Sequence, residues 1–256
     1  MKVVILAGGM GSRLSEETAI RPKPLVEIGG HPILWHIMKI YSTYGINDFV
    51  ICLGYKGHLI KEYFSNYLLA RSDVTFDIAG GKMELHQNSA EPWRVTLVDT
   101  GADTGTGGRI KRIMPYVEED EAFCMTYGDG VGNIDVGALV DFHTAHGKMA
   151  TVTAMRPLPR FGVMHLNQDV VRKFEEKPHG KDDWINGGFY VLSPKVFQFI
   201  EGDSTYWERA PLARLVDQEE LQAYRHEGFW RPMDTLSDKV TLEDLWATGQ
   251  APWKTW

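Results

Sequence analysis

Val3-Val4-Ile5-Leu6-Ala7-Gly8-Gly9-Met10-Gly11-Ser12-Arg13 carries a short apolar run straight into a glycine loop. Val3 to Leu6 reads as a buried strand. The adjacent glycines after it let the backbone turn tightly and bring its amides against a phosphate with no side chain in the way. A helix starting after Arg13 would add the field of its N-terminus. No Lys-Ser/Thr pair follows, so this is not a Walker A loop, and the spacing of the dinucleotide fingerprint is incomplete. A bare glycine loop can also be no more than a tight turn. Arg13 within it, and Lys23 soon after in Arg21-Pro22-Lys23-Pro24, favour a phosphate site. Prolines on both sides restrict the backbone around Lys23, an unusual setting for a solvated surface lysine.

Outward from this stretch, apolar runs alternate with amphipathic helical ones. Ile33 to Tyr44 has helical spacing and stops at Gly45. Phe49 to Leu53 is a second buried strand and His58 to Leu69 a second helix. Val95 to Val98 and Ala122 to Tyr127 are further strands, and Val136 to His146 a further helix. Continuous rather than alternating hydrophobicity in the strands implies a sheet covered on both faces. The second half differs. Val163–Leu166 and Val170–Glu175 read as a hairpin about Asn167-Gln168-Asp169, Gly187 to Leu192 as a strand, and Pro211–Gln218 and Asp238–Ala247 as helical. The expected fold is therefore α/β: a Rossmann-like, mixed and mostly parallel sheet flanked by helices, with an elaborated C-terminal half. Residues 1–256 are read as one domain, since no linker, charge block or repeat divides them.

A chain of 256 residues is long enough to bury a real core. Its formal net charge of −7 argues against a general nucleic-acid binder, but a nucleotide site needs only a few placed cations. Cys52 and Cys124 both lie in apolar strand runs and read as core filler in a reducing compartment. The run Met1–Leu6 is too short for a signal peptide or a membrane span, so a cytoplasmic protein without membrane attachment is expected.

Five segments, taken in order, resemble the sugar-1-phosphate nucleotidylyltransferases. They are the loop Leu6–Arg13 with Lys23-Pro24, Tyr127-Gly128-Asp129-Gly130, Phe174-Glu175-Glu176-Lys177-Pro178, Ile185-Asn186-Gly187-Gly188-Phe189-Tyr190, and Trp230-Arg231-Pro232-Met233-Asp234-Thr235. Within that family the chain is most similar to the cytidylyl branch. Val26–Gly30, Pro32–Met38, the tract Asp99–Arg109 and the tail Ala251–Trp256 carry that likeness.

The resemblance implies that glucose 1-phosphate attacks the α-phosphorus of CTP in line and expels pyrophosphate. A phosphate monoester is largely dianionic near neutral pH, so this nucleophile needs no general base. The chemistry needs charge neutralisation and alignment instead. By the same resemblance, Leu6, Ala7, Gly8, Gly9, Met10, Gly11 and Ser12 would line the nucleotide, with Arg13 over its leaving phosphates. Lys23 would bridge the two reacting phosphates. Thr104, Arg109 and Gly128 would contact the nucleotide, while Tyr127, Glu176, Lys177 and Asn186 would take the sugar phosphate. Asp129 and Asp234 would hold Mg²⁺, which commonly uses one or two carboxylates plus phosphate oxygens and water.

Plainer readings stand beside these. Asp129 between glycines can form a turn, and Asp234 before Thr235 can cap a helix. Glu176 and Lys177 can be a surface ion pair, and Tyr127 strand filler. The glycines of 101–108 suggest a flexible tract with several possible alignments around Thr104 and Arg109. The rivals are the same transfer from UTP or dTTP, a metal-dependent glycosyltransferase and a non-catalytic sensor. Asp129-Gly130-Val131 departs from the Asp-x-Asp motif of such glycosyltransferases, and a sensor would be expected to lack Lys23, Asp129 or Asp234. The cytidylyl branch implies a homo-oligomer, a hexamer. Trp246, Trp253 and Trp256 in the tail suggest a contact surface, unless the tail folds back on its own domain.

Overall fold

The computed structural model describes residues 1–11, 14–156, 163–167, 170–175 and 184–256. In chain order, β1 (Val3–Leu6) leads through the glycine loop to the single turn α1 (Ser15–Thr18) and the hairpin β2 (Glu27–Ile28) and β3 (His31–Pro32). Then come α2 (Ile33–Ser42), β4 (Asp48–Leu53), α3 (Gly57–Ala70), the hairpin β5 (Ser72–Asp77) and β6 (Lys82–Asn88), and β7 (Arg94–Asp99). The middle holds α4 (Thr106–Arg112), α5 (Met114–Val117), β8 (Phe123–Tyr127), β9 (Gly130–Gly132), α6 (Val136–His146) and β10 (Ala150–Met155). After the hairpin β11 (Val163–Asn167) and β12 (Val170–Glu175) come β13 (Ile185–Leu192), α7 (Ala210–Asp217), β14 (Leu221–His226), β15 (Trp230–Pro232) and α8 (Leu236–Ala247).

Seven strands form one sheet in the order β14-β10-β13-β8-β1-β4-β7. The pairs β1–β4, β1–β8, β4–β7 and β10–β14 are parallel, and β13 alone runs against its neighbours β8 and β10. Side chains alternate across a strand, so Val3 and Ile5 pack with α2 on one face while Val4 and Leu6 pack with Ile110 of α4 on the other. Both faces being covered, β1 has to be apolar at every position, which is what its sequence shows. The sheet is thus mixed, mostly parallel and flanked by helices, as its sequence implies.

Several elements depart from the sequence reading. The helix after Arg13 is only Ser15–Thr18, too short to sum a useful dipole. The strand β10 escapes notice because Thr151 and Thr153 interrupt its apolar run. Both are buried, with Thr151 Oγ1 bonded to His143 Nδ1 at 2.8 Å and Thr153 Oγ1 donating to Phe189 O at 3.1 Å. The hairpin β5–β6 and the edge strand β14 are also new, since half-exposed strands carry weak apolar patterning.

The C-terminal tryptophans fold back. Trp253 is fully buried against Phe229 and Trp246, and Trp246 lies so close to Gly29 that a β-carbon there would meet its Nε1 at 1.9 Å. The expectation that Trp246, Trp253 and Trp256 form an exposed contact surface is therefore corrected: burying large rings inside one chain is worth several kcal/mol and needs no partner. Their anchor is His36 on α2. Trp253 Nε1 donates to His36 Nδ1 at 3.3 Å, so Nδ1 must be the unprotonated nitrogen, and Nε2 then donates to Ile28 O at 2.8 Å.

Burial holds His36 in its neutral form and pushes its pKa down to about 4, against the opposing pull of the Ile28 carbonyl. Below about pH 6.5 the unfolded chain takes up a proton that folded His36 refuses. The stability His36 contributes is therefore complete above pH 6.5 and is lost as pH falls toward its folded pKa. Denaturant melts between pH 7 and pH 4.5 should show wild type losing about 2–3 kcal/mol more than His36→Gln. Equal losses would contradict the neutral assignment.

Candidate active site

The sheet order places β8 on one side of β1 and β4 on the other, and at such a switch point ligands collect beyond the carboxyl ends of the strands. The glycine loop, Gly54, Thr100 and Gly128 follow the ends of β1, β4, β7 and β8, and the reversed strand β13 brings Asn186 to the same edge. Two adjoining cavities open there. One, of about 470 Å³, lies between Leu6–Gly11, Lys23, residues 102–106 and Tyr127–Asp129. The other, of about 350 Å³, lies between Tyr127, Asp129, Asn186, Glu208, Trp230 and Asp234. Tyr127 and Asp129 belong to both.

Arg109 organises the first cavity. It is buried, and Nη1 donates to Leu53 O at 2.9 Å, Thr100 Oγ1 at 2.8 Å and Gly101 O at 2.8 Å. Its Nη2 donates to Gly8 O at 3.2 Å and Ala102 O at 3.1 Å. One guanidinium thus ties the ends of β1, β4 and β7 together. Gly8 must lack a side chain because a β-carbon would sit 2.1 Å from Nη1. At Gly9 nothing among the described residues lies within 4 Å of that position, so packing does not require it to be bare.

At the junction of the cavities stands Lys23. Pro22 and Pro24 hold it in a 3₁₀ turn, closed by Val26 N donating to Lys23 O at 3.0 Å. Its Nζ donates to Asp129 Oδ2 at 2.7 Å and to Asp234 Oδ1 at 2.8 Å. The ribbon β9–β15 brings these distant acids together: Gly130 pairs with Pro232, and Met233 N donates to Asp129 O at 2.8 Å. The cap of α8 is Thr235, in a capping box with Asp238, and not Asp234. Burial alone would lower the Lys23 pKa, but Asp129 and then Asp234 outweigh it and raise the net value.

Two carboxylates sharing one nitrogen cannot be further apart than those two bonds combined, and both are partly exposed at side-chain accessibilities of 33% and 14%. Their oxygen chemistry suits a hard divalent cation that takes its other ligands from substrate and water. Among the described residues no group of three or more His, Cys, Asp or Glu could hold a metal, so substrate oxygens would have to complete such a site.

Of the other anticipated residues, Thr104 and Gly128 line the first cavity and Asn186 the second, its Oδ1 accepting from Gly188 N at 2.8 Å. Ser12, Arg13, Glu176 and Lys177 lie outside the described residues. Tyr127 lines both cavities, and its ring packs so closely on Gly188 that a β-carbon there would sit 2.7 Å from it. The expected flexible tract 101–108 is instead docked. Gly105 N donates to Asp203 O at 2.7 Å and Gly108 N to Thr205 O at 3.1 Å, and a β-carbon on either glycine would collide with backbone oxygens. The segment it docks on supplies two residues missed from the sequence, Tyr206 in the first cavity and Glu208 in the second. They belong to no motif, and polar turn residues leave no periodic signal.

The chain matches the nucleotidyl transferase family over residues 2–243 and belongs to it. It is a nucleotidyltransferase. It is 61% identical to the glucose-1-phosphate cytidylyltransferase of Salmonella typhimurium, across 100% of both chains. Among solved structures, a UDP-glucose pyrophosphorylase complexed with UDP-glucose superposes with a TM-score of 0.69 at 14% identity, over 97% of this chain and 98% of that one. HddC from Yersinia pseudotuberculosis gives a TM-score of 0.68 at 22% identity, over 96% and 99%. These two likenesses are of fold.

Gly9→Ala should leave the thermal midpoint within about 2 °C, since nothing is crowded, yet lower kcat/KM for the nucleotide at least about tenfold by blocking its phosphates. Unchanged kinetics would show that the loop is only a turn.

Proposed function

We propose that this chain transfers the cytidylyl group of CTP to α-D-glucose 1-phosphate, giving CDP-glucose and pyrophosphate. The observation that carries this reading is Lys23, a buried cation at the junction of two cavities, between two carboxylates; the full-length likeness to the Salmonella enzyme supports the choice of substrates. CTP occupies the cavity of the glycine loop and the sugar phosphate the cavity of Asn186. A phosphate oxygen of the sugar attacks the α-phosphorus; the bond to the pyrophosphate oxygen breaks in line, and no proton has to move.

Lys23 offsets the repulsion between the two substrates' phosphates, where it is greatest. The amides of Gly8, Gly9 and Gly11 cradle the nucleotide phosphates, with Arg13 over the leaving group. Thr104, Gly128 and the stretch braced by Arg109 hold the nucleoside, while Tyr127, Glu176, Lys177 and Asn186 hold the sugar phosphate. Asp129 and Asp234 would hold Mg²⁺, which supplies further neutralisation of phosphate charge. Cytosine presents an amine donor where uracil presents a carbonyl, so a buried acceptor, such as a backbone carbonyl near Gly8–Gly11, leaves two acceptors opposed when UTP binds.

We further read residues 1–256 as one catalytic domain. Among the described residues no helix is long and apolar enough to cross a membrane, and Cys52 and Cys124 are buried free thiols, which suits a reducing cytoplasm. With the tail tryptophans packed inside, the proposed homo-oligomer, a hexamer, now rests on the hairpin β5–β6, where Phe76, Ile78 and Met83 are exposed. A solution mass of only 29.0 kDa would contradict it.

Pyrophosphate release with glucose 1-phosphate and a panel of CTP, UTP, dTTP and GTP tests the assignment. The highest kcat/KM is expected with CTP, and an equal or greater value with dTTP would overturn the choice of base. Asp129→Asn or Asp234→Asn should reduce turnover at least about a hundredfold, because each removes an anionic ligand from a reaction that runs on charge neutralisation.

A further inference from the structure

Glu208 is an exposed carboxylate on the wall of the second cavity. Two hydrogen bonds orient it. Tyr127 Oη donates to Oε1, and Thr106 Oγ1 donates to Oε2 at 2.6 Å. Thr106 Oγ1 in turn accepts from Trp207 N at 2.9 Å, and the Trp207 side chain is fully buried next to Glu208. A carboxylate has about four acceptor positions, and these two hydroxyls occupy two of them. An acid held this firmly, yet left exposed to a cavity, is prepared to accept from a ligand.

The charge says which part of the ligand. Glu208 would repel a phosphate, whereas Lys23, a cation among the described residues that would attract one, stands with Asp129 and Asp234 at the junction with the nucleotide cavity. The second cavity therefore has two chemically distinct ends: a phosphate end at the junction and a hydroxyl end at Glu208 and Asn186. We infer that Glu208 is a specificity-determining residue that accepts a hydrogen bond from a ring hydroxyl of the bound sugar. This rests on the placement of the sugar phosphate proposed above. A carboxylate acceptor discriminates strongly, because a bound sugar lacking that hydroxyl displaces water from the carboxylate without replacing the donor that water supplied.

The test uses the full chain, with glucose 1-phosphate and its 2-, 3-, 4- and 6-deoxy analogues, at saturating CTP. Wild type should discriminate against at least one analogue by about tenfold or more. In Glu208→Gln the KM for glucose 1-phosphate should rise at least about tenfold, discrimination at that one hydroxyl should vanish, and the KM for CTP should stay within about twofold. Tyr127→Phe should keep that discrimination.

The inference is overturned if Glu208→Gln keeps the full pattern of discrimination, if it moves both KM values together, or if Tyr127→Phe abolishes the same discrimination. The last result would mean that Glu208 acts only through Tyr127. Asn186→Ala separates the two levels of the account. If it raises the sugar KM while Glu208→Gln does not, the cavity is correctly assigned and only Glu208 fails. If neither changes it, the placement of the sugar phosphate fails as well. A thermal melt of each variant excludes unfolding as the cause.

Discussion

One ammonium group shared by two carboxylates is the interaction on which the site is built. Taking Lys23 out of water carries a desolvation cost, and only close anionic partners make its charged form favourable there. Asp129 and Asp234 repel one another at this separation, and the ammonium they share offsets that repulsion. Each of the three charges is tolerable because of the others.

That arrangement depends on backbone machinery some distance from the charges. The β9–β15 ribbon sets Asp129 beside Met233, and the Thr235–Asp238 capping box starts α8 two residues after Asp234. On the nucleotide side, Arg109 uses its guanidinium to hold five acceptors from the ends of three strands. A buried guanidinium saturated by carbonyls and a hydroxyl is a brace, and it keeps the glycine loop open without a packed side chain in it. On the far side, His36 and the tail tryptophans hold α2 and α8 together. The described part of the site edge is therefore braced from both directions, as a reaction relying on alignment requires.

The sheet and its ligand edge were legible because buried parallel strands must be apolar at every position, as in Val3–Leu6 and Phe49–Leu53. Lys23, Asp129 and Asp234 were legible through three of the family segments, and these three residues meet although they are far apart in sequence. Other features left no such trace. Thr151 and Thr153 satisfy their hydroxyls locally and so disguise a central strand as a polar one. The glycines of 101–108 suggested mobility, whereas the structure uses them for close approach to the backbone of 203–205. Whether the tail tryptophans pack inward or outward depended on His36, which is distant in sequence and carries no motif. Glu208 and Tyr206 were invisible for a similar reason, since their role comes from where a turn docks.

The shared ammonium can be tested without turnover. Lys23→Met removes the cation that Asp129 and Asp234 share. In EDTA this variant should melt several degrees below wild type, and millimolar Mg²⁺ without nucleotide should restore most of the difference while moving wild type by no more than about 1 °C. A Lys23→Met protein that melts like wild type in EDTA, or that Mg²⁺ fails to stabilise, would contradict the claim that this ammonium offsets the repulsion between the two acids.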